Sequence, residues 1–354
     1  MTAAVVRRGV KHPEALGLGA LVLAGALLAA VGTRLLTGPL AVLALMLVLA
    51  SIVAIIVTAT LGTPEARRKL APYGLLKPGM LWLALFYLAP LFTLLRLSLS
   101  SLPSRFAVDA EFTWEFQNYV DAFTDFGPQF TRAFLYAGTA TVLTILIGYP
   151  LAYVIAFRGG RYRSLLLGLV VIPFFTSFLI RTIAWTSILS DSGFVARFID
   201  WAGLQGLLET LHLMDDGKLT STAASVIFGL TYNFLPFMIL PIYVSLEKID
   251  VRLVDAAKDL YSTSVSAFRK VVLPLSLPGV FAGTLLTFIP AAGDFINAEY
   301  LGGPNNTMIG NSIQDQFLNQ NNVPLASAMS FVLMFIITVF VIIYSRFFGT
   351  EDLT

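Results

Sequence analysis

The sequence has no cysteine and only two histidines, His12 and His212, in 354 residues. Disulfides, iron–sulfur ligation and thiol catalysis are thereby excluded, and the histidines offer no zinc-like spacing. Charge is scarce as well: Asp, Glu, Lys and Arg make up 12% of the chain, against about 25% in an ordinary soluble domain. There is no GxxxxGK[ST] stretch, so the chain does not hydrolyse ATP through a phosphate-cradling loop. What is abundant is apolar: 57% of residues are hydrophobic. They fall in runs of around 20, the length that crosses a hydrocarbon core about 30 Å thick. A soluble core does not repeat such runs. The chain reads as an all-α integral membrane protein.

Eight spans are expected, near Leu16–Thr33, Leu40–Leu61, Met80–Ser100, Thr131–Phe157, Ser164–Leu189, Ser221–Leu246, Ser276–Asn297 and Leu325–Phe348. Arg7, Arg8 and Lys11 precede the first run as they would in a signal peptide. Its apolar core, however, exceeds the usual length of about 7–15 residues, and a second span follows at once. These first two spans hold almost no polar residues. They read as a peripheral addition over 1–78, joined by a basic linker (Arg67, Arg68, Lys69) to a six-helix unit over 79–354.

Lys and Arg favour the cytoplasmic side. With the N-terminus inside, the inner segments hold Arg7, Arg8, Lys11, Arg67, Arg68, Lys69, Lys77, Arg158, Arg161, Arg163, Lys248, Arg252, Lys258, Arg269, Lys270 and Arg346. The outer ones hold Arg34, Arg105, Arg132, Arg197 and Lys218. Both termini are therefore expected in the cytoplasm. The outer segments are acidic, with Asp109, Glu111, Glu115, Asp121, Asp125, Asp191, Asp200, Glu209, Asp215, Asp216, Glu299 and Asp315. That surface would draw cations to the mouth; segregation of the bases alone predicts the same sign.

The stretch 247–275 lies on the inner side. Val254, Ala257 and Leu260 or Tyr261 recur at helical spacing, as do Phe268, Val271, Val272 and Leu275. Between them stand Ser262, Thr263 and Ser264, which cap helices better than they continue them. Two short amphipathic helices meeting at a turn are expected, with Pro274 and Pro278 where the next span begins. The small Ala256 and Ala257 would let another surface approach. A pair of helices lying on the membrane fits the same pattern.

Asp255-Ala256-Ala257, then Tyr261, then Val271-x-Leu273-Pro274 resembles the coupling loop of ABC importer permeases. In that pattern Glu-Ala-Ala is followed at fixed spacing by Gly and by Ile-x-Leu-Pro. Asp for Glu and Val for Ile are mild changes. Tyr261 for Gly implies a turn that needs no left-handed backbone, or a tyrosine that packs at the contact. The resemblance implies that Asp255, Ala256, Ala257, Lys258, Asp259, Tyr261, Leu273 and Pro274 seat on an ATPase subunit and transmit its closure.

Further segments are similar to spermidine/putrescine permeases: Ile172 to Trp185, Leu235 to Pro241, Gly293-Asp294-Phe295 with Leu301 to Pro304, and Ala326 to Ala328. Together they cover roughly residues 75 to 348, in the slot of the first of that family's two permeases. The resemblance implies a type I permease core, a second homologous permease, two ATPase subunits that carry ATP and Mg, and an external binding protein that delivers a polyamine. It implies no cofactor and no metal in this chain, no nucleic-acid partner, and residence in the bacterial inner membrane.

Ionisable groups within spans are costly and tend to face a water-filled path or a partner. Asp294, followed by Asn297 and Glu299, is a candidate for meeting a substrate ammonium; capping a broken helix or pairing with Arg181 would also explain it. Arg181 would repel a cation, so an ion pair, for instance with Asp294, or a contact to backbone carbonyls is expected of it. Arg96 snorkels to the surface. Trp185, Tyr232 and Phe295 could hold ammonium groups through their ring faces, though most aromatics in such a chain are packing or interface anchors. Pro173, Pro236, Pro241 and Pro290 interrupt spans; broken helices near Pro236 and Pro290 would suit a gate, and an ordinary kink explains them too.

The leading expectation is a non-enzymatic subunit forming half of an ATP-driven pathway. An ABC permease for another small solute is one alternative. An ion-coupled carrier using Asp294 is another, but the inverted repeats common in carriers are not visible. A membrane enzyme would need a paired catalytic constellation, and none exists.

Overall fold

The computed structural model describes residues 82–104, 110–210, 213–215, 217–261 and 263–348. The two N-terminal spans, the boundary expected at 78/79 and His12 lie outside these residues, as do Asp109, Asp216 and His212. Two compact units divide the chain, Met1–Leu97 and Ser98–Thr354. In the first, the third expected span is seen as an apolar helix, with a wide turn at Ala84–Leu88 leading into α1 (Ala89–Ser98).

The second unit opens on a two-stranded antiparallel ribbon, β1 (Ser100–Ser101) and β2 (Glu111–Phe112). A 42-residue helix follows, α2 (Gln117–Arg158). At 1.5 Å per residue it is roughly 60 Å long, about twice the hydrocarbon thickness. The expected span Thr131–Phe157 is thus its C-terminal part. Next come α3 (Arg163–Val171), α4 (Phe178–Leu189), and the short α5 (Phe194–Ala202) and α6 (Gln205–Thr210). Then come α7 (Ala223–Glu247), α8 (Val251–Tyr261), α9 (Ser264–Ala267) and α10 (Leu273–Ala292). The chain closes with α11 (Ile309–Leu318) and α12 (Val323–Phe348). Among the described residues four helices are long and apolar enough to cross a membrane.

Two expected spans are reshaped. Ser164–Leu189 is not one straight helix: the chain bends by 93° between Phe175 and Phe178. Pro173 lacks the N–H that would continue the ladder, and Thr176 is extended, with its backbone N–H and hydroxyl both turned back to the Pro173 carbonyl. Ser276–Asn297 begins and ends earlier than expected. Helix runs from Ser264 through a π-type turn at Phe268–Val272 and stops at Ala292. The wide turn accommodates Pro274, whose ring would otherwise press on the carbonyl four residues back. Pro128, Pro150, Pro236, Pro241, Pro278 and Pro290 are all carried inside continuous helices.

Helices α2, α7 and α10 form the centre. Lipid offers no hydrophobic drive between helices, so close packing rests on small residues. α2 buries Ala133, Ala137, Ala140, Gly148, Ala152 and Ala156 along one side. On α10, Gly279 and Gly283 are spaced as a GxxxG pair. A Cβ on Gly279 would lie 2.5 Å from the Pro241 carbonyl, and one on Gly283 2.7 Å from Met238 Sδ. One apolar core gathers Phe130, Leu230, Phe288, Met308 and Met329; a second, toward the 251–272 loop, gathers Tyr149, Ile239, Ile242, Leu246 and Val272. At that loop end Arg163 donates to Glu247 at 2.8 Å and to the Ala156 carbonyl. Its guanidinium also lies over the Tyr243 ring.

Candidate functional site

Where α10 stops, residues 293–308 run on beside α7 instead of leaving the bundle. Irregular backbone at this depth must find its partners within protein, and it does. The Leu301 carbonyl accepts from Ser221 N at 2.7 Å and Ser225 Oγ at 2.8 Å. Asn306 Nδ2 donates to the Ser221 and Gly302 carbonyls, and Tyr136 on α2 donates to Asn306 Oδ1 at 3.0 Å. Glycine is required twice here. Gly303 has φ +61 and ψ −175, a region open to glycine alone. A Cβ on Gly302 would meet Val226 at 2.8 Å.

Asp294 opens this segment. Its Oδ1 accepts from the Asn297 backbone N–H at 2.8 Å and from Asn297 Nδ2 at 3.2 Å. Asn297 Oδ1 in turn accepts from Asn233 Nδ2 at 3.0 Å, and Asn233 Nδ2 also reaches Thr182 Oγ1 at 3.2 Å. Asp294 is 8% exposed, Asn233 1%, and Asn297 and Thr182 0%. Three elements, α4, α7 and the end of α10, are thus tied by one buried polar junction. Gly229, one turn from Asn233, leaves room for it: a Cβ there would sit 2.6 Å from Asn297 Oδ1.

Of the residues singled out in the sequence, Asp294 and Asn297 lie in this junction. Helix α10 runs unbroken through Pro290 and stops at Ala292, and Asp294 caps the turn that follows by accepting from Asn297 N. Trp185 packs edge-on against Tyr232, with centroids 5.2 Å apart, and against Phe228 at 4.6 Å. Phe295 and Glu299 are exposed and belong to a different contact: the Phe295 carbonyl and Glu299 Oε2 both accept from Asn311 Nδ2. Arg181 does not pair with Asp294, and among the described residues no backbone carbonyl accepts from it. Its guanidinium lies 5.6 Å from the Phe174 ring centre and 5.7 Å from that of Phe178, while Nε and Nη1 are buried without a hydrogen-bond partner. The Arg163–Glu247 ion pair stands at the loop end, away from Arg181. Thr182 and Asn233 were not anticipated; the available signal was a polar amide inside the apolar run 221–246.

The loop is built as two helices about a turn, but the second continues into α10. Tyr261 is the last residue of α8, so its backbone is right-handed, which answers the absence of Gly there. Thr263 caps α9 by accepting from Ser266 N at 3.2 Å. Val254 and Ala257 are buried against the bundle, whereas Asp255, Ala256, Val251, Leu253 and Val265 are exposed. The expectation that both alanines face a partner is therefore corrected. Ala257 is on the same helical face as Val254 and is already covered; Ala256 alone is open. Leu273 and Pro274 open α10, and the side chains of Lys258 and Asp259 lie outside the described residues.

Residues 144–349 match the family described as binding-protein-dependent transport system inner membrane component. That is more than half of the chain. The chain belongs to this family. The permease region so defined begins within α2 and contains the bend, the junction, the loop and α12. It is similar to a spermidine/putrescine transport system permease protein of Haemophilus influenzae, 37% identical over 272 residues, covering 75% of this chain and 90% of that protein. The corresponding Escherichia coli K12 protein is 37% identical over 207 residues, 58% of this chain and 72% of that one. The fold resembles a chain of a bacterial ABC transporter involved in import of the acidic polysaccharide alginate. The TM-score is 0.57 at 17% identity, with 81% of this chain and 98% of that one covered. The protein is thus a multi-pass inner membrane transport subunit of a binding-protein-dependent importer, and the carrier reading falls away.

Proposed function

We propose that this permease forms half of the translocation pathway for polyamines, spermidine or putrescine, handed over by an external binding protein. The observation that carries the reading is the 37% identity spread over 90% of the Haemophilus influenzae spermidine/putrescine permease. The site agrees in sign: Asp294 and Asn297 turn oxygen acceptors into one junction, beside the Trp185–Tyr232 ring pair. Asp294, Asn297, Trp185 and Tyr232 line the path in this reading, with Phe295 and Glu299 nearer its mouth. A second homologous permease supplies the other half.

The exposed Val251, Leu253, Ala256 and Val265 seat on an ATPase subunit, two of which carry ATP and Mg. Both termini lie in the cytoplasm, as the Lys and Arg distribution supports. The test is the ATPase rate of the full complex in lipid nanodiscs, with and without loaded binding protein. Stimulation by spermidine or putrescine, and not by unrelated solutes, is the expected result. Stimulation by another ligand alone would overturn the polyamine assignment and leave the permease intact.

A further inference from the structure

The orientation of the buried amides at the junction is not free. Asp294 Oδ1 receives the Asn297 backbone N–H as well as its side chain, and as an ionised carboxylate it can only accept. Asn297 must then present its NH2 to Asp294 and its oxygen to Asn233. Facing an oxygen, Asn233 must in turn present its NH2, which it shares between Asn297 Oδ1 and Thr182 Oγ1. The relay therefore leaves one acceptor over at its far end. Asn233 Oδ1 is buried and has no hydrogen-bond donor. Buried acceptors of this kind are rare, because the desolvation of the oxygen is left uncompensated.

We propose that Asn233 Oδ1 accepts a hydrogen bond from one protonated amine of the cargo as it passes between α4 and α7, an assignment that rests on the polyamine reading above. Three features select an alkylammonium over a neutral donor. The Asp294 carboxylate is two amides away along the relay. The carbonyl end of α10, at Ala292, carries negative partial charge. Tyr232 is the neighbour of Asn233, and Trp185 stands one turn beyond Thr182, giving ring faces of the kind that hold cations. The ammonium thus needs an N–H as well as its charge, and that requirement separates this site from a purely electrostatic one.

The test is equilibrium binding of labelled putrescine to the full complex in nanodiscs, held with a non-hydrolysable nucleotide and without binding protein. The competitor is the fully methylated diammonium, which keeps both charges and has no N–H. Wild type is expected to prefer putrescine by at least about tenfold, the usual size of a hydrogen bond from a charged donor. Asn233→Leu is expected to weaken putrescine by that factor and to abolish the preference. Equal binding of both ligands by wild type would overturn the proposal without need of any variant. So would a preference that survives in Asn233→Leu, and either result leaves polyamine transport standing. If the complex imports only solutes without amines, the polyamine reading falls and this site falls with it.

Discussion

The hydroxyls of Tyr149 and Ser276 lie 2.7 Å apart, both buried, and join the middle of the unit to the loop end. Ser276 stands two residues after Pro274, and its own hydroxyl donates to the Leu273 carbonyl at 2.9 Å. Tyr149 is therefore the donor in the pair and Ser276 the acceptor. Because Ser276 follows the loop directly, this contact and the Phe268 ring, which meets Tyr149 edge-on at 5.8 Å, join the loop to α2.

That polarity makes the two deletions unequal. Tyr149→Phe removes the donor and leaves Ser276 bonded to Leu273, so a loss of about 1 kcal/mol is expected. Ser276→Ala strands a buried phenolic O–H, at a cost of about 1–3 kcal/mol. Thermal unfolding of the two purified variants in one detergent compares them. A larger drop for Tyr149→Phe would show the hydrogen bond to run the other way.

In the proposed coupling role, the loop assigns stability and ATPase contact to adjacent residues. Ala256→Arg places a large charge on the open face and is expected to abolish ATP-driven uptake and capture of the ATPase, with the melting temperature unchanged. Ala257→Arg forces a cation into a covered position and should destabilise the subunit by about 3 kcal/mol or more. Pull-down of the ATPase together with a melting curve reads both. Normal uptake by the first variant would remove the coupling role from this face.

Close helix approach predicts a sharp contrast between glycines. Gly279→Ala drives a methyl group to 2.5 Å from the Pro241 carbonyl and 2.6 Å from Ser245 Oγ, whereas Gly138→Ala on α2 meets nothing within 4 Å. The first should cost about 2 kcal/mol or more by overpacking. The second should gain up to about 1 kcal/mol from helix propensity. Thermal melts of both in the same lipid decide it, and equal effects would contradict the packing of α7 on α10.

Apolar run length revealed the spans of this unit, because each must cross the same thickness of lipid. It did not reveal direction. Ser164–Leu189 is apolar throughout except at Arg181, and only Pro173 with Thr176 and Ser177 marked the 93° bend. The loop was legible through helical spacing, yet which alanine faces inward depends on the bundle that Val254 and Ala257 cover. Asp294 and Asn297 stood out as polar residues near the end of an apolar run. Thr182 and Asn233 did not, since their roles come from pairing across 51 positions, which no local pattern encodes. Arg181 was misjudged for a related reason: charge balance suggested a carboxylate partner, and aromatic rings supplied the contact instead.

Arg181 gives the clearest energetic prediction. A buried ion pair broken by removing one partner loses about 3–5 kcal/mol, because a charge is left uncompensated. Here, among the described residues, no carboxylate pairs with the guanidinium, and two of its nitrogens are already without hydrogen bonds. Arg181→Met keeps the stem packed on Phe174 and Phe178 and forfeits only a ring-face contact of about 0.5–2 kcal/mol, offset by removal of the desolvated charge. The variant is expected to melt within about 1 kcal/mol of wild type, with no sign of a stranded anion. Thermal unfolding of Arg181→Met beside Asp294→Asn checks this. A loss near 4 kcal/mol in Arg181→Met, suppressed when the two changes are combined, would reveal a hidden pairing between the two residues and displace the aromatic account.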